Sequence, residues 1–255
     1  MQRKHNLVPV ILNMNDEFWL PYSLAALSGF FDKYVIYDVG STDRSKEIID
    51  WFHQKEKNNA DFVIRYLPFV EPSVQGTFRN SMIAEADSDY YFIVDSDEVY
   101  NPEDLRKILK FMQYDEDACP YEGKPYGLVR RVEIIEGLSQ AYGLEDRLSH
   151  HRVYHNTAYW KGTHPGEEPV KSQKESTEFW IPDVVCYHFH NTSRSSKDAD
   201  VPKRIQRRSQ ATYHRGELKT FDTLQQIPIL RSGFEDFPRN PTLIEAQDDF
   251  MAGYQ

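Results

Sequence analysis

Hydrophobic residues arrive along the chain in two alternating rhythms. Short, nearly unbroken apolar runs read as buried strands: Leu7 to Leu12, Tyr34 to Tyr37, Phe62 to Tyr66 and Tyr90 to Val94. Aromatic and β-branched residues dominate them. Between the runs the apolar residues fall at helical spacing. Phe18, Trp19, Leu20, Tyr22, Leu24 and Leu27 predict a helix stopped at Gly29, Ser45 to Lys57 predicts an amphipathic helix, and Phe78 to Ala86 predicts a third. Strands alternating with helices in this way argue for an α/β domain with a mainly parallel sheet flanked by helices.

The rhythm loosens afterwards. Pro102 to Met112 predicts a helix with Leu105, Ile108, Leu109 and Met112 on one face. Tyr126 to Ile135 reads as an alternating strand, Arg152–Asn156 with Ala158–Lys161 as a hairpin, and Val184 to His190 as another strand. This half reads as a smaller antiparallel region. The polar stretch Ser193–Asp200 lacks periodicity and reads as a mobile loop. Beyond Gly216, Phe221, Ile227, Ile229, Leu230, Phe234 and Phe237 stand among prolines and are expected to pack back on the domain. The expected organisation is one domain over 1–215, with halves 1–112 and 113–215, and an extension over 216–255.

Candidate chemistry sits where the early strands stop. Asn13 and Asn15 follow the first, Asp38 ends the second, and Asp95-Ser96-Asp97-Glu98 ends the fourth. In open α/β sheets ligands bind outside the carboxyl ends of the strands. On a continuing strand Asp95 and Asp97 would share a face, and such hard oxygen ligands suit Mg2+ or Mn2+. The competing reading is a solvated turn that caps the helix opening at Asn101-Pro102. His188 and His190 also fall on one side of their strand. They read either as added metal ligands or as hydrogen-bonded core histidines.

Composition narrows the partners. A net charge of −10 argues against a nucleic-acid binder. Against it, Arg204, Arg207 and Arg208 share a helical face and read as a grip for an anionic group or as a solvated surface. The 255 residues suffice for a sizeable core, supplied by 16 Tyr, 15 Phe and four Trp. Two cysteines, Cys119 and Cys186, fit a reducing compartment. The apolar run after Met1–His5 is too short for a signal-peptide core or a membrane span. The expectation is a soluble, cytoplasmic protein with no transmembrane segment.

Three segments carry a resemblance: Leu12-Asn13-Met14-Asn15-Asp16-Glu17, Asp38-Val39-Gly40-Ser41-Thr42-Asp43 and Val94-Asp95-Ser96-Asp97-Glu98. In this order they resemble the signatures of family 2 glycosyltransferases of the GT-A fold, with Met14 in place of the usual aromatic and Asp16 in place of the usual Glu. The resemblance implies metal-dependent transfer of a sugar from a nucleotide-sugar donor, most simply a UDP-sugar, to a hydroxyl of a carbohydrate, glycan or lipid-linked acceptor, with inversion. It implies that Asp38 accepts from the base and that Leu12, Asn13 and Asn15 line base and ribose. Arg79 and Arg204 would reach the diphosphate, and Asp95 and Ser96 the ribose or a metal-bound water. Asp97, with Asp95, would bind Mn2+ or Mg2+, joined by His188 or His190. For Asp38 a helix cap is the ordinary alternative. For the general base the resemblance offers Glu167 or Glu168, after His164, and Asp146 of the Glu145-Asp146 pair. A sugar-nucleotide pyrophosphorylase would want a Gly-rich basic loop where Asn13–Glu17 stands. A non-catalytic nucleotide-sugar-binding module is the other alternative.

Overall fold

The computed structural model describes residues 6–69, 74–112, 126–135, 138–144, 149–161, 168–169, 178–201 and 217–231. The first half alternates as its pattern predicts: β1 (Leu7–Asn13), α1 (Leu20–Leu27), β2 (Lys33–Val39), α2 (Ser45–Glu56), β3 (Asp61–Leu67), α3 (Gln75–Ala86) and β4 (Tyr90–Asp95). These four strands are parallel and lie in the order β3-β2-β1-β4. Gly29, at φ +76°, takes the left-handed backbone that ends the α1 segment. Among the described residues no helix is long and apolar enough to cross a membrane.

Period-two alternation sorts each strand onto two faces. Leu7, Ile11, Tyr34, Ile36, Phe92 and Val94 pack with α1, α2 and a later helix, α4 (Pro102–Phe111). Val8, Val10, Leu12, Val35, Tyr37, Tyr91 and Ile93 pack on the opposite face with Met82 and Ala86 of α3. Both faces are covered, which is why these strands read as continuous apolar runs.

The second half extends the sheet. β5 (Glu98–Tyr100), β6 (Tyr126–Ile135), β7 (Gln140–Tyr142), β8 (Ser149–His155) and β11 (Glu178–Asn191) join it, with β12 (Lys219–Thr220) at the edge. β8 is antiparallel to both β4 and β6, and β11 runs parallel to β6 and antiparallel to β5. The sheet is therefore mixed, with a parallel block and an antiparallel wing. Two expectations change here. The hairpin of Arg152–Asn156 with Ala158–Lys161 does not form: β8 pairs inside the main sheet, while β9 (Trp160–Lys161) pairs with β10 (Glu168–Pro169) in a separate ribbon. Asp95 and Asp97 do not ride one continuing strand either, because β4 stops at Asp95 and a turn at Ser96-Asp97 intervenes before β5. Leu224, Ile227 and Leu230 share a hydrophobic cluster with Phe18, Trp19, Val132 and Phe189, while residues 232–255 of the expected extension lie outside the described residues.

Candidate active site

The parallel register brings the strand ends together. Asn13 of β1 stands beside Asp38 of β2, and Leu12 beside Asp95 of β4. In the order β3-β2-β1-β4 the chain switches direction between β1 and β4, the crevice where α/β sheets bind ligands.

The β2–α2 turn builds one wall. Asn13 Nδ2 donates to Asp38 Oδ2 at 2.7 Å, and the Ser41 amide donates to Asp38 Oδ1 at 3.0 Å. Asn15 Oδ1 accepts from the Thr42 amide at 2.7 Å. Asn15 itself has φ +51°, a left-handed position that Asn tolerates. Gly40 is required twice over. Its φ is +94°, and a Cβ there would lie 2.4 Å from the Phe69 Cα. Asp38, Asn13 and Leu12 are buried. Asp38 thus ties the turn to β1 with both oxygens.

Asp95 shares the face of Tyr91 and Ile93, and so points toward α3. Arg79 Nη2 lies 3.1 Å from its Oδ1 and Arg152 Nη2 lies 2.9 Å from its Oδ2. Burial would raise the Asp95 carboxyl, but Arg152 and then Arg79 hold it well below the usual carboxylate range. Arg79 also lies over the Trp160 ring, 5.0 Å from its centre, and Asn80 clamps the Trp160 backbone with bonds of 2.9 and 2.7 Å. Arg152 continues inward to an ion pair with Glu98, and both are buried. Glu98 is pushed up by burial, against the pull of Arg152.

Asp97 faces different partners. Its Oδ2 lies 3.5 Å from His188 Nε2, 3.8 Å from His190 Nδ1 and 2.9 Å from Arg194 Nη1. The Arg194 guanidinium is close, yet among the described residues this buried oxygen has no directed hydrogen bond. One ligand atom each from Asp97, His188 and His190 lies within 4.8 Å of the others. Burial opposes ionisation of Asp97, yet Arg194 and then His188 hold its carboxyl well below the ordinary value. Such a set, two imidazoles and a carboxylate around an under-satisfied oxygen, fits a divalent transition metal. The i, i+2 spacing in β11 stacks the two rings with centres 5.3 Å apart.

Ser193–Asp200, expected as a mobile loop, is instead strapped to the β1–α1 connection. Arg194 grips Asp16 with Nε and with Nη2, the latter at 2.6 Å. The Ser196 amide donates to Glu17 Oε1 at 2.8 Å, and Trp19 Nε1 donates to the Ser193 carbonyl at 2.9 Å. Ser96 is buried and donates its hydroxyl to Asp16.

The structure therefore gathers Leu12, Asn13, Asn15, Asp38, Arg79, Asp95, Ser96, Asp97, His188 and His190 at one sheet edge. Asp95 does not belong to the metal-type triad; its oxygens face arginines. Asp146, Glu167 and Arg204 lie outside the described residues, and of Glu168 only the backbone, in β10, is described. Sequence reasoning missed Glu133, Arg152 and Arg194 as site groups, and gave Asp16 and Glu98, which stand in the quoted motifs, no role of their own. One signal was available: Arg131 and Glu133 alternate with the apolar Val132 and Ile134, which marks a charged strand face.

Residues 10–163 match the sequence profile of glycosyl transferase family 2. The fold is similar to crystal structures of S. aureus TarS: 19% identity over 61% of this chain and 30% of that one, TM-score 0.45. TarS 1-349 in complex with UDP-GlcNAc gives 17%, 75% and 59%, TM-score 0.47. Glucosyl-3-phosphoglycerate synthase from Mycobacterium tuberculosis, in complex with Mn2+, UDP and glucosyl-3-phosphoglycerate, gives 16%, 60% and 57%, TM-score 0.40. The chain thus spans from under a third to somewhat over half of these proteins. No curated protein matches it. The profile covers more than half of the sequence, and its span takes in the three strand ends and the turn that build this cleft: the chain belongs to glycosyl transferase family 2.

Proposed function

We propose that this protein transfers a sugar from a nucleotide-sugar donor, with a UDP-sugar the first to test, to an acceptor hydroxyl, with inversion and dependence on Mn2+ or Mg2+. The observation that carries the reading is the Asp97–His188–His190 cluster, set beside the switch point of a family 2 sheet. Those three residues would hold the cation, which when bound neutralises charge accumulating on the leaving diphosphate. The remaining roles belong to side chains. The Asn13–Asp38–Ser41 wall lines the base and ribose. Asp95, kept ionised by Arg79 and Arg152 and partly exposed, accepts from a donor hydroxyl. The contacts to the diphosphate are assigned to Arg79 and Arg204. A carboxylate from Glu167, Glu168 or Asp146 takes the proton of the acceptor hydroxyl. The acceptor oxygen then bonds to the anomeric carbon as the bond to the nucleotide phosphate breaks, through an oxocarbenium-like transition state.

The test is release of UDP from a panel of UDP-sugars, with and without Mn2+ and with EDTA. Wild type should release UDP only with the metal, and Asp97→Ala should reduce release by about 100-fold or more. Metal-independent release, or full activity in Asp97→Ala, would refute the reading. Donor binding with no turnover on any donor would instead indicate a binding module.

A further inference from the structure

Parallel pairing of β11 with β6 sets His188 directly beside Glu133. The contact is two-pronged. His188 Nδ1 lies 3.0 Å from both Oε1 and Oε2 of Glu133. A carboxylate can only accept there, so Nδ1 carries the proton that it shares with Glu133. The opposite nitrogen, Nε2, then points at Asp97 Oδ2, 3.5 Å away. Glu133 is 3% exposed and lies between the core residues Val132 and Ile134. A carboxylate in that position is costly unless it is held. It is held chiefly by charge: Arg131 Nε lies 2.7 Å from Oε1 in an ion pair with no directed hydrogen bond among the described residues, and Asn191 Nδ2 donates to Oε2 at 3.5 Å. None of the roles assigned above to donor, acceptor or leaving group falls to Glu133.

We propose that Glu133 is a positioning residue for the metal site, fixing His188 with its proton on Nδ1 and its Nε2 aimed at the cation. Imidazoles that bind metals commonly give their second nitrogen to such an acceptor, which sets the ring's direction and strengthens it as a ligand. Arg131 and Asn191 in turn keep the carboxylate in register. The inference rests on the reading of Asp97, His188 and His190 as the metal site.

The experiment is Mn2+ binding to the full chain, followed by electron paramagnetic resonance of the free ion without any sugar donor. Glu133→Gln should weaken Mn2+ binding by about 10–100-fold, and Glu133→Asp, which keeps the charge, should recover part of that loss. A merely structural residue would lower the melting temperature of the metal-free protein and leave Mn2+ affinity within twofold of wild type; that result overturns the proposal. His188→Ala separates the two readings. If it loses Mn2+ and Glu133→Gln does not, only the role of Glu133 fails; if both retain the ion, the metal site itself fails. Should the Glu133 variants not fold, 15N imidazole spectra of wild type with Zn2+ decide the matter. A shift at His188 Nε2 with the Nδ1 proton retained is expected, and a shift at Nδ1, or at neither nitrogen, overturns the proposal.

Discussion

Two imidazoles in opposite states stand beneath the cleft, with ring centres 6.4 Å apart. Burial, and then the Arg152 and Arg131 guanidiniums, hold His150 well below the ordinary imidazole range. Burial would do the same to His188, but Glu133 and then Asp97 overcome it and lift its pKa to about 10. His190 is pushed down to about 4 by burial and by His188. The signs differ. An unfolded histidine takes up its proton near pH 6.5, whereas folded His150 and His190 do not, so the unfolded state holds more protons below that pH. The stability contribution of His188 is complete below about pH 6.5 and is lost as pH rises toward its folded value. Between pH 7 and 5 the two depressed histidines dominate. The metal-free protein should lose stability there, each group contributing at most about 1.4 kcal/mol per pH unit. Urea unfolding at pH 7, 6 and 5 checks this, and His150→Gln should flatten the slope. An unchanged slope in the variant would show that His150 is not held neutral.

At the scale of elements, two connections shape the cleft, and each makes a prediction. The β2–α2 turn depends on Gly40, where φ is +94° and the Phe69 backbone closes the space a Cβ needs. Gly40→Ala should therefore cost about 1–3 kcal/mol from backbone strain, and more where Phe69 must move. Urea unfolding measures the loss, and UDP affinity should fall with it as the Asn13–Asp38–Ser41 bonds loosen. The strap after β11 places Arg194 Nη1 2.9 Å from Asp97 Oδ2, a cation already beside the proposed cation site. Even with water-like screening, like unit charges about 4 Å apart repel by about 1 kcal/mol. Arg194→Met should then tighten Mn2+ binding without nucleotide by about fivefold, read by calorimetry; weaker binding would mean that Arg194 supports the site rather than opposing the ion. The same elements show what was legible beforehand. Strands β1 to β4 and their helices follow from local periodicity, and Asn13, Asp38 and Asp95 from their positions at strand ends. The contacts of Arg152 with Asp95 and Glu98, and of Glu133 with His188, did not, because they depend on the pairing of β8 with β4 and of β11 with both β5 and β6, over long separations that no local pattern encodes. The strap read as mobile because much of its order comes from Asp16, Glu17 and Asp43, far away in sequence.

Across the whole molecule the triad is a joint between two constructions. Asp97 hangs on the turn that leaves the parallel block, whereas His188 and His190 belong to β11, which is paired with β5 on one side and with the antiparallel wing on the other. Hydrophobic packing runs beneath both parts: one cluster joins β1, β2 and β4 to Val129, Val153, Val184 and Cys186, and another gathers Val132, Tyr187, Phe189 and the closing residues Leu224 to Leu230. A cation gripped across that joint binds only the assembled fold, since the three ligands are brought together by sheet pairing rather than by sequence. Its binding free energy is then added to folding. At an Mn2+ concentration about 100 times the dissociation constant the gain is about 2.7 kcal/mol, and for a chain of this size that amounts to a rise in melting temperature of about 5–10 °C. Wild type should show this rise and lose it on addition of EDTA. Asp97→Ala should melt at the same temperature with and without Mn2+. If Mn2+ stabilises the Asp97→Ala protein as much as wild type, the ion binds elsewhere and the joint is held by Arg194 and the histidines alone.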